Sequence, residues 1–132
     1  MLKGSNILVV DDQKDIRGLL RSMLKTMGAG NVFEAASGEE AFAFLSSGSS
    51  VDRVSCILCD WNMPGMDGLS LLKKLREAGN NTAFIMVTGR TDMDSVIKAK
   101  RNGASDYVAK PFSPEDLRVK ITQTLRRNLM CA

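Results

Sequence analysis

Short apolar runs alternate along this chain with stretches in which apolar residues recur at helical spacing. Asn6-Ile7-Leu8-Val9-Val10 is apolar on both faces, as a strand buried in a parallel sheet must be, and it stops at Asp11-Asp12. Ile16, Leu19, Leu20, Met23, Leu24 and Met27 then recur at helical spacing, with Gly28 as C-cap. Asn31 to Ala35 reads as a weaker strand with polar residues interleaved. Ser37-Gly38-Glu39-Glu40 is a capping-box pattern, opening a helix that turns Ala41, Phe44 and Leu45 inward. Ser46 to Ser50 reads as a loop. Val54 to Cys59 is a third apolar run, ending in Asp60 and the Pro64-Gly65 turn. Asp67 then caps a helix carrying Leu69, Leu72 and Leu75, which stops near Gly79. Ala83 to Val87 is a fourth strand, ending in Thr88-Gly89. Thr91 or Asp92 opens a helix through Met93, Val96 and Ile97, whose late Lys98, Lys100 and Arg101 suit the negative end of the helix dipole before Gly103. Ser105 to Ala109 is a fifth strand, ending in Lys110-Pro111. Ser113-Pro114-Glu115-Asp116 is a strong helix start, with Leu117, Ile121 and Leu125 facing inward.

A strand-helix unit repeated five times with short connections predicts an α/β fold. It is a parallel sheet covered by helices on both faces through right-handed crossovers. The last helix reaches almost to Ala132, so residues 1–132 are expected to form one domain with no second, output domain.

Composition adds limits. The chain has 132 residues, 44% hydrophobic and 25% charged, as expected of a globular protein. A net charge of +3 gives no ground for direct nucleic-acid binding. No apolar run approaches the roughly 20 residues that span a bilayer, so no membrane insertion is expected. Met1 to Asn6 carry no signal-peptide core, and the expected compartment is the cytoplasm. Cys56, Cys59 and Cys131 are an odd set, consistent with reducing conditions. Cys56 and Cys59 sit three apart on one strand, on opposite faces, and so cannot share a metal. There is no histidine, which removes imidazole catalysis and imidazole metal sites.

Ligands of open α/β sheets bind beyond the carboxyl ends of the strands. Four of the five predicted strands end in a chemically useful residue: Asp11-Asp12, Asp60, Thr88 and Lys110. Alone, each reads equally well as a cap or a surface charge; together they read as a site. Carboxylates about 4 Å apart repel by ~4 kcal/mol per pair at an effective dielectric of about 20. A divalent cation removes that cost, and all-oxygen ligands suit Mg²⁺. Three carboxylates, Mg²⁺ and the Lys110 ammonium balance to zero formal charge, a site poised for a phosphoryl donor. Asp60 is the expected acceptor. A phosphoryl dianion there adds negative charge and calls for donors, and the Thr88 hydroxyl is within the neighbouring strand's reach. Tyr107, the one tyrosine, lies on the fifth strand nearby and reads as either a switch residue or an ordinary strand aromatic.

These residues resemble the receiver domain of two-component response regulators over nearly the whole chain. Val9-Val10-Asp11-Asp12 is similar to that family's acidic pair and Asp60 to Gly68 to its phosphoacceptor turn. Val87-Thr88-Gly89 is similar to its switch threonine and Lys110-Pro111-Phe112 to its lysine and cis proline. Asp60-Trp61-Asn62-Met63-Pro64 and Ser105-Asp106-Tyr107-Val108 are most similar to its single-domain chemotaxis members. The resemblance implies a flavodoxin-like, doubly wound five-stranded sheet of order 2-1-3-4-5. It implies phosphorylation of Asp60, and Mg²⁺ held by Asp11, Asp12, Asp60 and the backbone carbonyl of Asn62. Lys110 and Thr88 would bind the phosphoryl group, and Thr88 and Tyr107 would carry the change to the face of the fourth helix, fifth strand and fifth helix. A sensor histidine kinase or phosphotransfer protein would be the donor, a downstream protein the target, and the Lys110-Pro111 bond cis. Arg90, two residues after Thr88, flanks the site at a position variable in the family. With Asn62 it is expected to tune the lifetime of the acyl phosphate.

Three rivals stand beside this reading. A phosphatase with an aspartyl-phosphate intermediate, of the haloacid dehalogenase type, needs a second acid two residues after its nucleophile, where this chain has Asn62. A nucleotide-binding domain needs a glycine-rich phosphate loop after the first strand, where this chain has two aspartates. A receiver cut from a longer DNA-binding regulator would carry the same pattern as a stand-alone one.

Overall fold

The computed structural model describes Leu2, residues 4–47 and residues 53–131, with side chains to residue 127. The part of the expected loop at 48–50 lies outside the described residues. Ten elements alternate: β1 Ile7–Val10, α1 Lys14–Thr26, β2 Val32–Ala35, α2 Gly38–Leu45 and β3 Cys56–Cys59, then α3 Gly68–Glu77, β4 Ala83–Thr88, α4 Met93–Arg101, β5 Asp106–Ala109 and α5 Pro114–Cys131. All pairings are parallel and the spatial order is β2-β1-β3-β4-β5. Four strands are shorter than the expected runs, with Asn6, Asn31, Val54, Ser55 and Ser105 just outside them, while β4 extends one residue further, to Thr88.

Strand side chains alternate between two apolar layers. Ile7, Val9, Cys56, Leu58, Ile85, Val87 and Val108 meet Leu20 and Leu24 of α1 and Leu117 and Ile121 of α5. Leu8, Val10, Ile57, Cys59, Phe84, Met86 and Tyr107 meet α2, α3 and α4 on the other face, chiefly through Leu71, Leu72, Leu75 and Ala99. Both faces are thus dry at β1, β3 and β4, which is why those strands read as nearly unbroken apolar runs. Each fully buried Leu, Ile or Phe contributes about 1.5–3 kcal/mol over its exposed state. Cys56 and Cys59 lie in different layers, as expected.

Helix ends follow the predicted chemistry. Ser37, Asp67 and Asp92 are N-caps, accepting from the N–H of Glu40, Ser70 and Ser95. Ser113 and Asp116 cap each other: the Asp116 N–H donates to Ser113 Oγ and the Ser113 N–H to the Asp116 carboxylate. Gly28, Gly79 and Gly103 follow α1, α3 and α4 with φ of 95°, 82° and 103°.

Phe44, expected inward, faces out, and so does Leu19 of the α1 pattern. Leu19 is 48% exposed and Phe44 is 37% exposed. On α1 the stripe that reaches the sheet runs through Ile16, Leu20, Met23 and Leu24, and Leu19 lies beside it. Helix α2 follows edge strand β2, and Phe44 packs on Phe33, with ring centroids 5.0 Å apart.

Candidate functional site

Strand register brings the polar residues to one edge. Val10 pairs with Cys59, Cys59 with Met86, and Thr88 with Ala109, so Asp11, Asp60 and Lys110 are the next residues out. The ladder continues through them. Asp11 N–H donates to Ala35 O (3.1 Å), Asp60 N–H to Val10 O (3.0 Å) and Lys110 N–H to Thr88 O (2.9 Å). Their backbones are therefore held as firmly as strand residues.

Among the described residues, Asp11, Asp12 and Asp60 bring carboxylate oxygens within 4.8 Å of one another. Asp11 is 2% exposed, and Asp12 is open to solvent. Lys110 Nζ bridges Asp11 Oδ2 at 3.2 Å and Asp60 Oδ2 at 3.3 Å. The Gln13 N–H donates to Asp11 Oδ1 at 2.9 Å. Three clustered carboxylates with only oxygen donors fit a hard divalent cation such as Mg²⁺, which takes few protein ligands and keeps waters. The site therefore unites Asp11, Asp12, Asp60 and Lys110, as the strand ends foretold.

The turn after Asp60 is tight. The Gly68 N–H donates to Trp61 O at 2.8 Å, and the Asn62 N–H approaches Asp60 Oδ1 at 3.4 Å. Gly68 is required there: a Cβ would lie 2.3 Å from the Asp60 carbonyl oxygen. Trp61 is buried at 4% exposure. The Arg90 guanidinium stacks over the Trp61 ring, 4.8 Å from its centroid. It also donates twice to Asn62 Oδ1, from Nε at 3.1 Å and Nη2 at 3.0 Å. Thr88 is fully buried, and its Oγ1 accepts from the Arg90 N–H at 3.3 Å. The Tyr107 hydroxyl donates to the Arg90 carbonyl. Burial first, then Asp92, holds the Tyr107 phenol above its usual range, so it remains a donor. Arg90 thus joins the turn after Asp60, Thr88 and Tyr107. The Lys110-Pro111 peptide is cis.

Sequence reasoning passed over three contributors. Trp61 read only as part of a motif, and its contact with Arg90 links residues 29 apart in sequence. Gly68 could have been suspected, because a glycine directly after a helix cap has no conformational need to be one. Arg17 donates to the Asp11 carbonyl at 2.7 Å from a helix that carried no functional signal. Cys56 and Cys59 take no part: burial pushes the Cys56 thiol up to about 12 and raises Cys59 as well, aided there by Asp60, Asp11 and Asp67.

Comparison with known proteins places this geometry. The profile of the response regulator receiver domain matches residues 7–122. The chain is 36% identical over 123 residues to the chemotaxis protein CheY of Pseudomonas aeruginosa, covering 92% of this chain and 96% of that one. It is 36% identical over 121 residues to a CheY homolog of Campylobacter jejuni, covering 90% and 91%. The structure of chemotaxis protein CheY4 of Vibrio cholerae superposes with a TM-score of 0.82 at 31% identity, covering 92% of this chain and 98% of that one.

Proposed function

We propose, from the premise that this chain belongs to the response regulator receiver domain family, that it is a signalling switch thrown by phosphorylation of Asp60. The family consists of switches rather than enzymes of ordinary turnover, and its members interact with histidine kinases or phosphotransfer proteins and with downstream targets. One observation carries the proposal: Lys110 and three carboxylates from three separate segments meet at one sheet edge.

The donor is a phosphohistidine. The chain has no histidine of its own, so a partner kinase or phosphotransfer protein must provide it. An Asp60 carboxylate oxygen attacks phosphorus, the P–N bond breaks, and the leaving imidazole takes a proton. Asp11, Asp12, Asp60 and the Asn62 carbonyl would hold Mg²⁺, which would supply neutralising charge to the gathered anions. The Lys110 ammonium donates hydrogen bonds to the transferred group. A carboxylate monoanion has become an acyl phosphate dianion, so negative charge has grown by one, and the Thr88 hydroxyl turns to donate to it. That movement releases the Arg90 N–H and unsettles the Tyr107 contact, and the output leaves through α4, β5 and α5. No nucleic acid and no membrane are needed. The chemotaxis names of its relatives make a cytoplasmic chemotaxis pathway the setting we favour.

Arg90 and Asn62 roof the acceptor and are proposed to set the lifetime of the acyl phosphate by governing the approach of water. The phosphatase rival has no support here, because Asn62 Oδ1 is occupied as an acceptor from Arg90. Incubation with Mg²⁺ and a small phosphodonor should give one labile phosphoryl adduct by mass spectrometry, absent in Asp60→Asn. No adduct on the parent protein, or an unchanged one in Asp60→Asn, would overturn the proposal.

A further inference from the structure

The main chain at Asp11 meets a problem set by the end of the sheet. Its N–H is still paired with Ala35, but β2 ends there and the neighbouring Asp60 N–H uses Val10. The Asp11 carbonyl, in a residue only 2% exposed, needs a donor from elsewhere. Arg17, one turn into α1, reaches back and donates to it through Nη1 at 2.7 Å. The Arg17 side chain is 14% exposed, and its orientation is braced. Its Nε donates to Glu34 Oε1 at 3.2 Å, while Glu34 Oε2 accepts from Arg21 at 2.8 Å. Arg21 in turn donates to the Val32 carbonyl at 3.0 Å. A chain of charge-assisted bonds therefore runs from edge strand β2, through Glu34, to the backbone of a candidate metal ligand.

We propose that Arg17, braced on Glu34, is a positioning residue of the carboxylate site and sets its affinity for Mg²⁺. The inference rests on the Mg²⁺ reading given above. With the backbone held by Arg17 and Oδ1 held by the Gln13 N–H, Asp11 presents Oδ2 in a defined direction. Asp12, exposed beside it, is the ligand left to adapt. Loss of such an outer contact typically weakens metal binding about 10–100-fold.

The sign of the effect separates positioning from charge. Arg17 is a cation near an acidic site, so as a charge alone it repels Mg²⁺, and its removal should tighten binding. As a positioning group its removal should loosen binding. Salt separates the two further: a charge effect fades at high ionic strength, whereas a lost geometry persists.

Titration calorimetry with MgCl₂ alone, at low and at about 0.5 M KCl, decides the matter. Arg17→Gln should raise the Mg²⁺ Kd about ten-fold at both salts. Arg17→Lys, which keeps the charge but cannot serve both Asp11 and Glu34, should raise it by less. It also carries the test if Arg17→Gln does not fold. Asp106→Asn, remote from the site and equally able to lower Tm, should leave Kd unchanged. An unchanged or lower Kd in the folded Arg17 variants, or an equal loss in Asp106→Asn, overturns the inference. If the parent protein itself gives no saturable Mg²⁺ heat, the Mg²⁺ reading falls first and this one with it.

Discussion

Alanine at Gly68 puts fold and function to the same test. Gly68 opens α3 without a positive φ, so helix propensity alone makes Gly68→Ala stabilising by about 0.5–1 kcal/mol. The contacts argue the opposite. The added Cβ would lie 2.3 Å from the Asp60 carbonyl oxygen and 2.9 Å from the Trp61 Cα, where ordinary contact begins at 3.4 Å. About 1 Å must be absorbed, and the atoms in the way are backbone, not the end of a flexible side chain. Overpacking of this kind costs about 1–3 kcal/mol. The upper half of that range is expected, and it outweighs propensity. At roughly 3–4 °C per kcal/mol for a chain of this length, Tm should fall by about 5–10 °C. The residue displaced is Asp60, the proposed phosphoacceptor, and a 1 Å misplacement can cost ~100-fold in rate. Thermal unfolding and single-turnover phosphorylation at saturating Mg²⁺ measure both. Gly18→Ala is the control: mid-helix in α1 with nothing within 4 Å, it should gain about 0.5–1 kcal/mol. A Gly68→Ala protein as stable and as quickly phosphorylated as the parent would refute the reasoning.

Lys110→Met removes the ammonium that Asp11 and Asp60 share, so it should tighten Mg²⁺ binding while lowering metal-free stability by about 1–2 kcal/mol. Titration calorimetry and urea unfolding with and without Mg²⁺ would check this. Arg90→Ala should change the rate of acyl-phosphate loss and shift the emission of Trp61, the one tryptophan, from which a stacked cation is withdrawn. If the dephosphorylation rate is the same, Arg90 does not tune it. Stability should fall at alkaline pH. The Cys56 thiol holds its proton in the fold to about 12 but releases it near 9.0 when unfolded, so its contribution is complete below pH 9 and lost as pH climbs toward 12. The slope is about 1.4 kcal/mol per pH unit for each buried thiol. Cys56→Ala should flatten the dependence of the urea midpoint measured from pH 8 to 10.5, and an unchanged slope would contradict it.

The strands and helix ends could be read from the chain because their causes are local. An apolar run with no alternation has only one comfortable place in a protein of this size, between two helical layers. Caps such as Ser37, Asp67 and Ser113 act within one turn. The order of the strands is another matter: five strand-helix units satisfy several orders equally, and only the family resemblance supplied 2-1-3-4-5. Phe44 was misplaced, and Leu19 lies outside the packed stripe, because periodicity defines a stripe but not its width, and only the sheet's edge decides where packing ends. In the site, Asp11, Asp60, Thr88 and Lys110 were legible because polar residues ending buried strands are conspicuous. Arg17 and the Trp61–Arg90 stack were not, since arginines on amphipathic helices are ordinary and their choice of partner depends on tertiary placement.

The ammonium of Lys110 meets the carboxylate of Asp11 across 99 positions of chain, and that of Asp60 across 50. During synthesis the acids leave the ribosome first, and their counter-charge emerges 50 residues after Asp60. Until Lys110 arrives the three carboxylates lack its charge, so β5 docks onto β4 with an electrostatic incentive as well as an apolar one. Docking of β5 and charge pairing of the acidic cluster are therefore a single event.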